Sequence, residues 1–304
     1  MNFKYKAYLQ RFFSEIYKGE KINYLFQKYI THTLPISDED FLSKTESIRI
    51  HLDNFRTYSG KNDFSNCDYY EFGTGYDMLI PLVVSLSGFR KLSCIDIREL
   101  VFPELINDSV TRLKKLKDKI NINFTISKNI PVFNDKNFRQ VLKDHFSIEY
   151  KAPEDARKTS LESESVDFIL SNATFEHIPG IHIKDILTEC YRILKRGGIM
   201  SNAIDYRDHF SFFDNSISVY NYLKYSPAEW ERLNPSIMYQ NRLRHRDYIN
   251  FINETGFKIL NVKCDMPDED EIRRFDEIVT DEYFKKNYTK DELIIKSGFI
   301  VLQK

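Results

Sequence analysis

Tyr69–Gly88 reads YYEFGTGYDMLIPLVVSLSG: an acidic and aromatic lead-in, a turn with two glycines, then an apolar run. The lead-in has the composition of a buried strand, and the run that follows is suited to a helix packed against it. Gly73 and Gly75 let the backbone turn tightly and approach a ligand where side chains would clash. A nicotinamide fingerprint would need a third glycine at position 78, and Met78 stands there.

Working outward, CDYYEFG and KLSCIDI are short β-rich runs separated by a helical stretch, the rhythm of a parallel sheet. FSIEYKAP, VDFILSNATF and IMSNAID supply the third to fifth strands, with IKDILTECYRILKRGG between the last two as a helix closed by glycine. SPAEWERL opens with a capping box, RDYINFINETGF is an amphipathic helix that stops at Gly256, and KILNVKC and GFIVLQK are two final strands joined antiparallel. The expected fold is α/β, a Rossmann-like seven-stranded sheet, mostly parallel with an antiparallel last strand. Residues 1–60 form a helical extension, with Ser37 or Asp38 as an N-cap, and residues 61–304 form the main domain. A helical insertion is expected at about 100–147 and a lid at about 205–245.

Glu71 ends the first strand two residues before Gly73, where a carboxylate can meet an ammonium group, and Asp96 ends the next strand, where it can accept both hydroxyls of a ribose. A carboxylate for an amine and another for a ribose describe S-adenosylmethionine better than NAD. Here the sequence resembles the class I S-adenosylmethionine-dependent methyltransferases, through EFGTGYD, CIDI, EDARKTSLESESVDFILSN and CYRILKRGGIM taken in order. The resemblance implies that Glu71, Gly73, Thr74 and Gly75 hold the methionine end and that Asp96 and Ile97 serve the adenosine. It also implies that Asp155 with the Ala156 backbone meets the adenine edge and that Asn172 lines the methyl-transfer mouth.

A hydroxyl acceptor needs a base. IDYRDHFSFFD gathers Asp205, Asp208 and His209 after the fifth strand, and a histidine beside carboxylates is suited to that work. His209 is the candidate base, oriented by Asp208 or Asp205, and His177 in FEHIP could face the same mouth. The alternative is that both histidines only tie down their loops. Arg242 and Arg244 could grip a phosphate, and Tyr206 and Trp230 belong to an aromatic lid suited to sugar or nucleotide rings. These residues could equally be a helix start and core. INYLFQKYITHTLP, EHIPG and the segment from DHFSFFD to YQNRLRHRDYI are similar to methyltransferases of bacterial surface-polysaccharide biosynthesis, which implies O-methylation of a sugar, nucleotide sugar or glycan. Other small-molecule acceptors and a non-catalytic module of the same fold stay open.

The 44 basic and 45 acidic residues nearly cancel, so no global field favours nucleic acid. Cys67, Cys94, Cys190 and Cys264 have no metal-ligand spacing, and neither a metal site nor a disulfide framework is expected. No window suits a membrane span, and a cytoplasmic enzyme is expected. The first 30 residues are net basic and aromatic, so they either touch an anionic membrane or pack on the core. A homodimer is also allowed.

Overall fold

The computed structural model describes residues 2–16 and 19–304. Three helices come first: α1 (Phe3–Glu15), α2 (Gly19–Tyr29) and α3 (Asp38–Ser59). Ser37 caps α3 by accepting the Asp40 N–H, and Gly60 closes it in the left-handed conformation. β1 (Asp68–Phe72), α4 (Leu79–Leu86) and β2 (Lys91–Ile95) follow. Next come α5 (Pro103–Lys115), α6 (Phe138–Phe146), β3 (Ile148–Lys151) and β4 (Val166–Asn172). α7 (Gly180–Ile193) leads into β5 (Leu194–Asp205). The tail holds α8 (Pro227–Leu233), α9 (His245–Asn253), β6 (Lys258–Asp265), α10 (Glu269–Asp276), α11 (Glu282–Asn287), α12 (Lys290–Ile294) and β7 (Ser297–Gln303).

The strands form one sheet in the order β3-β2-β1-β4-β5-β7-β6, with β7 antiparallel to both neighbours and the other pairs parallel. The order reverses between β1 and β4, and sheets of this kind bind ligands in the crevice outside the carboxyl ends at such a point. Alternation along the strands divides the core. Tyr69, Phe168 and Leu170 face α3, α4 and α6, while Tyr70, Phe72 and Ile169 face α7 and α9. The Phe55 ring of α3 stacks on Phe168 at 4.7 Å, so Phe55→Ala would open a cavity costing about 3–5 kcal/mol.

Two boundaries differ from the sequence reading. α7 ends at Ile193 and the chain is already in β5 at Leu194, so Gly197, with φ 74°, bends a strand start and does not close a helix. α9 ends at Asn253, three residues before Gly256. The segment between β2 and β3 carries α5 and α6 with a long loop between them.

α1 buries Phe3, Ala7 and Phe13 on the face that also carries Lys6 and Gln10, and it leaves Tyr5, Tyr8 and Phe12 exposed on the other. α2 closes over the loop after β2: Tyr24 stacks on Phe102 at 3.8 Å, Tyr24 and Lys28 both reach Glu104, and Arg98 pairs with Glu20 at 2.6 Å. Among the described residues no helix is long and apolar enough to cross a membrane.

Candidate functional site

At the ends of β1 and β2 the backbone does what the two glycines suggest. Gly73 and Gly75 have φ of 74° and 76°, the left-handed region that other residues enter only with strain. They are needed for different reasons. A Cβ on Gly73 would stand 2.4 Å from Thr174 Cγ2, so the turn packs directly against the exit of β4, whereas a Cβ on Gly75 would meet nothing within 4 Å and faces open space. Met78 carries the turn into α4 at φ 54°, and Asp77 Oδ1 accepts the Leu79 N–H at 3.0 Å in place of an N-cap side chain. Lys44 of α3 reaches Asp77 at 3.0 Å and ties the helical extension to this turn.

Asp96 is 3% exposed, and its Oδ2 accepts the Thr74 hydroxyl at 2.6 Å and the Tyr150 hydroxyl at 3.0 Å. Burial pushes its carboxyl up to about 6, against the pull of those two donors. Glu71 is 1% exposed and accepts the Tyr69 hydroxyl at 2.8 Å; burial pushes it up to about 8, with the Asp96 charge adding to the rise. Ile97, next to Asp96, is an apolar side chain 60% exposed at the edge of the crevice. Asp155 is not a free carboxylate: Arg157 donates to it from Nε and Nη2, at 2.6 to 3.0 Å. Ala156 packs beside the α7 side of the core.

Asn172 is turned toward α3. Its Oδ1 accepts from the Ser47 hydroxyl at 2.7 Å and pairs with His51 Nε2 at 3.2 Å. His51 Nδ1 lies 2.8 Å from Ser201 Oγ on β5, and burial holds this ring down to about 4. The neutral ring carries its proton on Nε2, and the chain of bonds binds α3 to the ends of β4 and β5.

The ends of β4 and β5 carry the imidazoles. The 3₁₀ turn Phe175–His177 follows β4 at Thr174, and the 3₁₀ turn His209–Phe212 follows β5. The two rings meet edge to face with centroids 5.0 Å apart, and Phe212, half exposed, stacks on His209 at 5.2 Å. Asp205 Oδ2 lies 3.6 Å from His209 Nε2. Burial raises the Asp205 carboxyl, but its contacts with His209 and Arg207 outweigh this and hold it well below the usual carboxylate range. His177 donates Nδ1–H to the Tyr239 carbonyl at 2.7 Å, and its ring is pushed down by the surrounding protein and by His209. The Arg98 charge, two residues past Asp96, also acts on His177, so the two halves of the crevice are within electrostatic reach. A cavity of about 270 Å³ opens between α1, α2, Arg98 and the turn at Ser236 and Ile237.

Five expected roles do not survive this geometry. Asp208 is fully buried and caps its own turn, accepting Phe210 N–H and Asn221 Nδ2–H at 2.8 and 3.0 Å, so Asp205 and not Asp208 is the histidine's partner. Arg244 is 0% exposed and donates to the carbonyls of Tyr206, Leu293 and Ile295 and to the Tyr222 hydroxyl. Arg242 donates to the carbonyls of Tyr222 and Tyr225 and lies over Trp230 and Phe284. Neither guanidinium is turned outward for a phosphate. Trp230 gives its indole N–H to the Gln240 carbonyl, and Tyr206 shares a hydrogen with His245 Nδ1, both rings deep in the core.

What the sequence reading missed is Glu176, buried between the two imidazole turns, whose Oε1 accepts the Asp205 N–H at 3.2 Å while Oε2 has no partner. The signal was present in FEHIP, where Glu176 stands next to the histidine that was singled out. Lys6, Gln10 and Asn23 on the covering helices are also buried, and Gln10 Oε1 and Asn23 Oδ1 have no partner.

Residues 126–201 match a family model described as a methyltransferase domain. The matched part spans β3 to β5 and begins after the glycine turn and Asp96. No curated protein matches the chain in sequence. Among solved structures, a geranyl diphosphate C-methyltransferase from Streptomyces coelicolor A3(2) is 11% identical, with TM-score 0.48 over 86% of this chain and 79% of that one. An S-adenosylmethionine-dependent methyltransferase from Methanosarcina mazei is 16% identical, with TM-score 0.42 over 79% of this chain and 93% of that one. At these values neither likeness carries a substrate across. The match over β3 to β5 makes that quarter of the chain similar to a methyltransferase domain, and it lies on a sheet of this order with carboxyl groups buried at the ends of β1 and β2.

Proposed function

We propose that the protein moves the methyl group of S-adenosylmethionine to a hydroxyl oxygen of a sugar, nucleotide sugar or glycan. The observation that carries the hydroxyl assignment is the pair of imidazoles at the ends of β4 and β5, with Asp205 held ionised 3.6 Å from His209 Nε2. Methyl transfer from a sulfonium needs in-line alignment and a nucleophile with a free lone pair. An amine supplies that lone pair unaided, whereas an alcohol must give up a proton, and this mouth is built for proton transfer. The unpaired polar atoms of Glu176 and His209 suit an acceptor that brings hydroxyls.

The cofactor end is assigned as follows. Asp96 Oδ2 is already held by Thr74 and Tyr150, which orients the carboxylate toward the ribose hydroxyls, while Ile97 offers an apolar surface to the adenine. The backbone at Gly73 and Gly75 passes under the methionine, and Glu71 faces its ammonium group. At the other end the acceptor hydroxyl gives its proton to His209 Nε2, and Asp205 steadies the ring that has gained it. The oxygen attacks the methyl carbon, the C–S bond breaks, and its electron pair stays on the sulfur of neutral S-adenosylhomocysteine. The crevice assigns no role to the aromatic lid, because Trp230 and Tyr206 are core.

Calorimetric titration with S-adenosylmethionine and S-adenosylhomocysteine, with Asp96→Ala as control, tests the cofactor end. Binding that collapses in the variant is expected; equal binding by both proteins removes Asp96 from the site. Methyl transfer to a panel of hexoses, nucleotide sugars and their amino counterparts then tests the acceptor, and methylation of the amines alone would overturn the hydroxyl assignment.

A further inference from the structure

Glu176, His177 and His209 each offer one ligand atom to a common point, and those atoms lie within 4.8 Å of one another. Three details set this group apart from a chance meeting of polar side chains. Glu176 is almost wholly buried, and its Oε2 has no partner although Oε1 does. His209 Nε2 is likewise buried without a hydrogen bond. His177 spends Nδ1–H on the Tyr239 carbonyl, which leaves its lone pair on Nε2. A carbonyl behind the ring is a common device for fixing the tautomer and direction of a metal-binding histidine.

We propose that Glu176, His177 and His209 hold a first-row divalent cation of the zinc or manganese kind, which takes the acceptor's hydroxyl oxygen at an open position. The inference deepens the methyltransferase reading and rests on it. Two imidazoles and one carboxylate suit zinc, manganese, iron(II) or cobalt, whereas magnesium and calcium prefer shells of oxygen. Three protein ligands leave room for a water or a substrate oxygen, the arrangement of catalytic zinc sites. In a tetrahedral site with bonds of about 2.1 Å the ligand atoms stand roughly 3.4 Å apart. The widest of the present separations would therefore close by up to about 1.4 Å around an ion.

The site also stands where an acceptor must be. One ligand turn follows β4 and the other follows β5, two strands paired in parallel, so both open at the carboxyl edge beside the glycine turn. An oxygen bound to such an ion loses its proton far more readily than a free alcohol. With the ion in place the imidazole lone pairs serve the metal, and the acceptor's proton passes to water instead of to His209. The oxygen then bonds to the methyl carbon as the C–S bond breaks. The products are a methyl ether, neutral S-adenosylhomocysteine and one proton, with no oxidant or reductant required. Asp205, 3.6 Å from His209 Nε2, adds a negative charge beside the cation.

The test uses the full chain freed of metal by chelator dialysis, titrated with zinc(II) in a calorimeter and with cobalt(II) followed by its visible absorption, with S-adenosylmethionine binding measured in parallel. One equivalent of each metal is expected. His177→Ala and Glu176→Gln are each expected to weaken zinc binding at least tenfold while S-adenosylmethionine affinity stays within about twofold. His177 lies at the surface, so its variant keeps the test meaningful if Glu176→Gln fails to fold. Absence of stoichiometric binding, or binding unchanged in His177→Ala, overturns the site. Metal bound without S-adenosylmethionine upholds the ion and overturns the methyltransferase reading beneath it, and S-adenosylmethionine bound without metal does the reverse.

Discussion

The two halves of the crevice satisfy their polar groups in opposite ways. At the ends of β1 and β2 the buried carboxylates of Glu71 and Asp96 are each held by hydroxyls, from Tyr69, Thr74 and Tyr150. At the ends of β4 and β5, Glu176 Oε2 is buried without a hydrogen-bond partner, and His209 Nε2 has only the Asp205 carboxylate, at 3.6 Å. Buried polar atoms without partners cost stability, so their presence in a folded chain points to something they do when a ligand arrives. The first half is a fixed cradle whose ligand adds to bonds already made. The second half is a set of open valences, which is where bond making belongs.

The sharpest way to break this contrast is at the second half. His209→Ala is expected to lower turnover by about 10²- to 10⁴-fold, whether the ring takes a proton or holds a metal, while S-adenosylmethionine affinity changes less than about twofold. Single-turnover rates beside calorimetry check both numbers, and a fall in cofactor affinity to match the loss of rate would erase the division between the halves.

Arg244 tests the boundary between site and core. Its guanidinium serves three carbonyls and a hydroxyl with no access to solvent, so Arg244→Met leaves several buried acceptors unpaired and is expected to cost about 3–5 kcal/mol in urea unfolding. A phosphate anchor would behave differently, losing acceptor affinity with little loss of stability. The same contrast shows what was legible in the sequence. Gly73, Gly75, Glu71 and Asp96 are fixed by their place at a strand end and in the turn beside it, so spacing alone locates them. Arg242, Arg244, Tyr206 and Trp230 look the same on paper whether they line a mouth or fill a core. The answer came from α1 and α10 to α12, distant in sequence, which pack against the loop after β5. Glu176, His177 and His209 escaped any ligand-spacing rule because two adjacent strands, not one local motif, bring them together.

His51 places an acid-sensitive joint behind the second half. Its ring is neutral in the fold, with a proton affinity lowered to about 4 from the 6.5 of a free histidine. Above pH 6.5 neither state is protonated and this ring's contribution to stability is full. Between 6.5 and 4 only the unfolded chain takes up the proton, so that contribution falls by about 1.4 kcal/mol per pH unit, roughly 3 kcal/mol in all. Urea unfolding from pH 7 to 4 checks the slope against His51→Gln, which removes this contribution.

Asp96→Ala acts on the cradle alone. On the proposed assignment, in which this carboxylate accepts from two ribose hydroxyls, its loss is expected to cost about 2–3 kcal/mol, near 100-fold in S-adenosylmethionine affinity. The fold of this variant is also expected to lose an acid-side gain, since a carboxyl held up at about 6 adds stability as pH falls from 6 towards 3.8.

The smallest effect gives the finest test, because it asks what faces Glu71. Burial lifts this carboxyl to about 8 from 4.5, so in the free protein at pH 7 it holds its proton. Its contribution to stability is full below pH 4.5 and is lost as pH rises to 8, because over that range only the unfolded chain gains by ionising. An ammonium group brought beside it reverses the preference and expels the proton. S-adenosylmethionine binding is therefore expected to release close to one proton at pH 7 and none well above pH 8, with affinity rising by up to tenfold per unit below 8. Titrations in phosphate and Tris, whose ionisation heats differ, count the protons. Asp96 at about 6 is mostly ionised at pH 7 and adds little there. Glu71→Gln keeps the shape and is expected to abolish the release. Equal heats in the two buffers would place the ammonium group away from Glu71, and the cradle would then hold its ligand by Asp96 and the glycine turn alone.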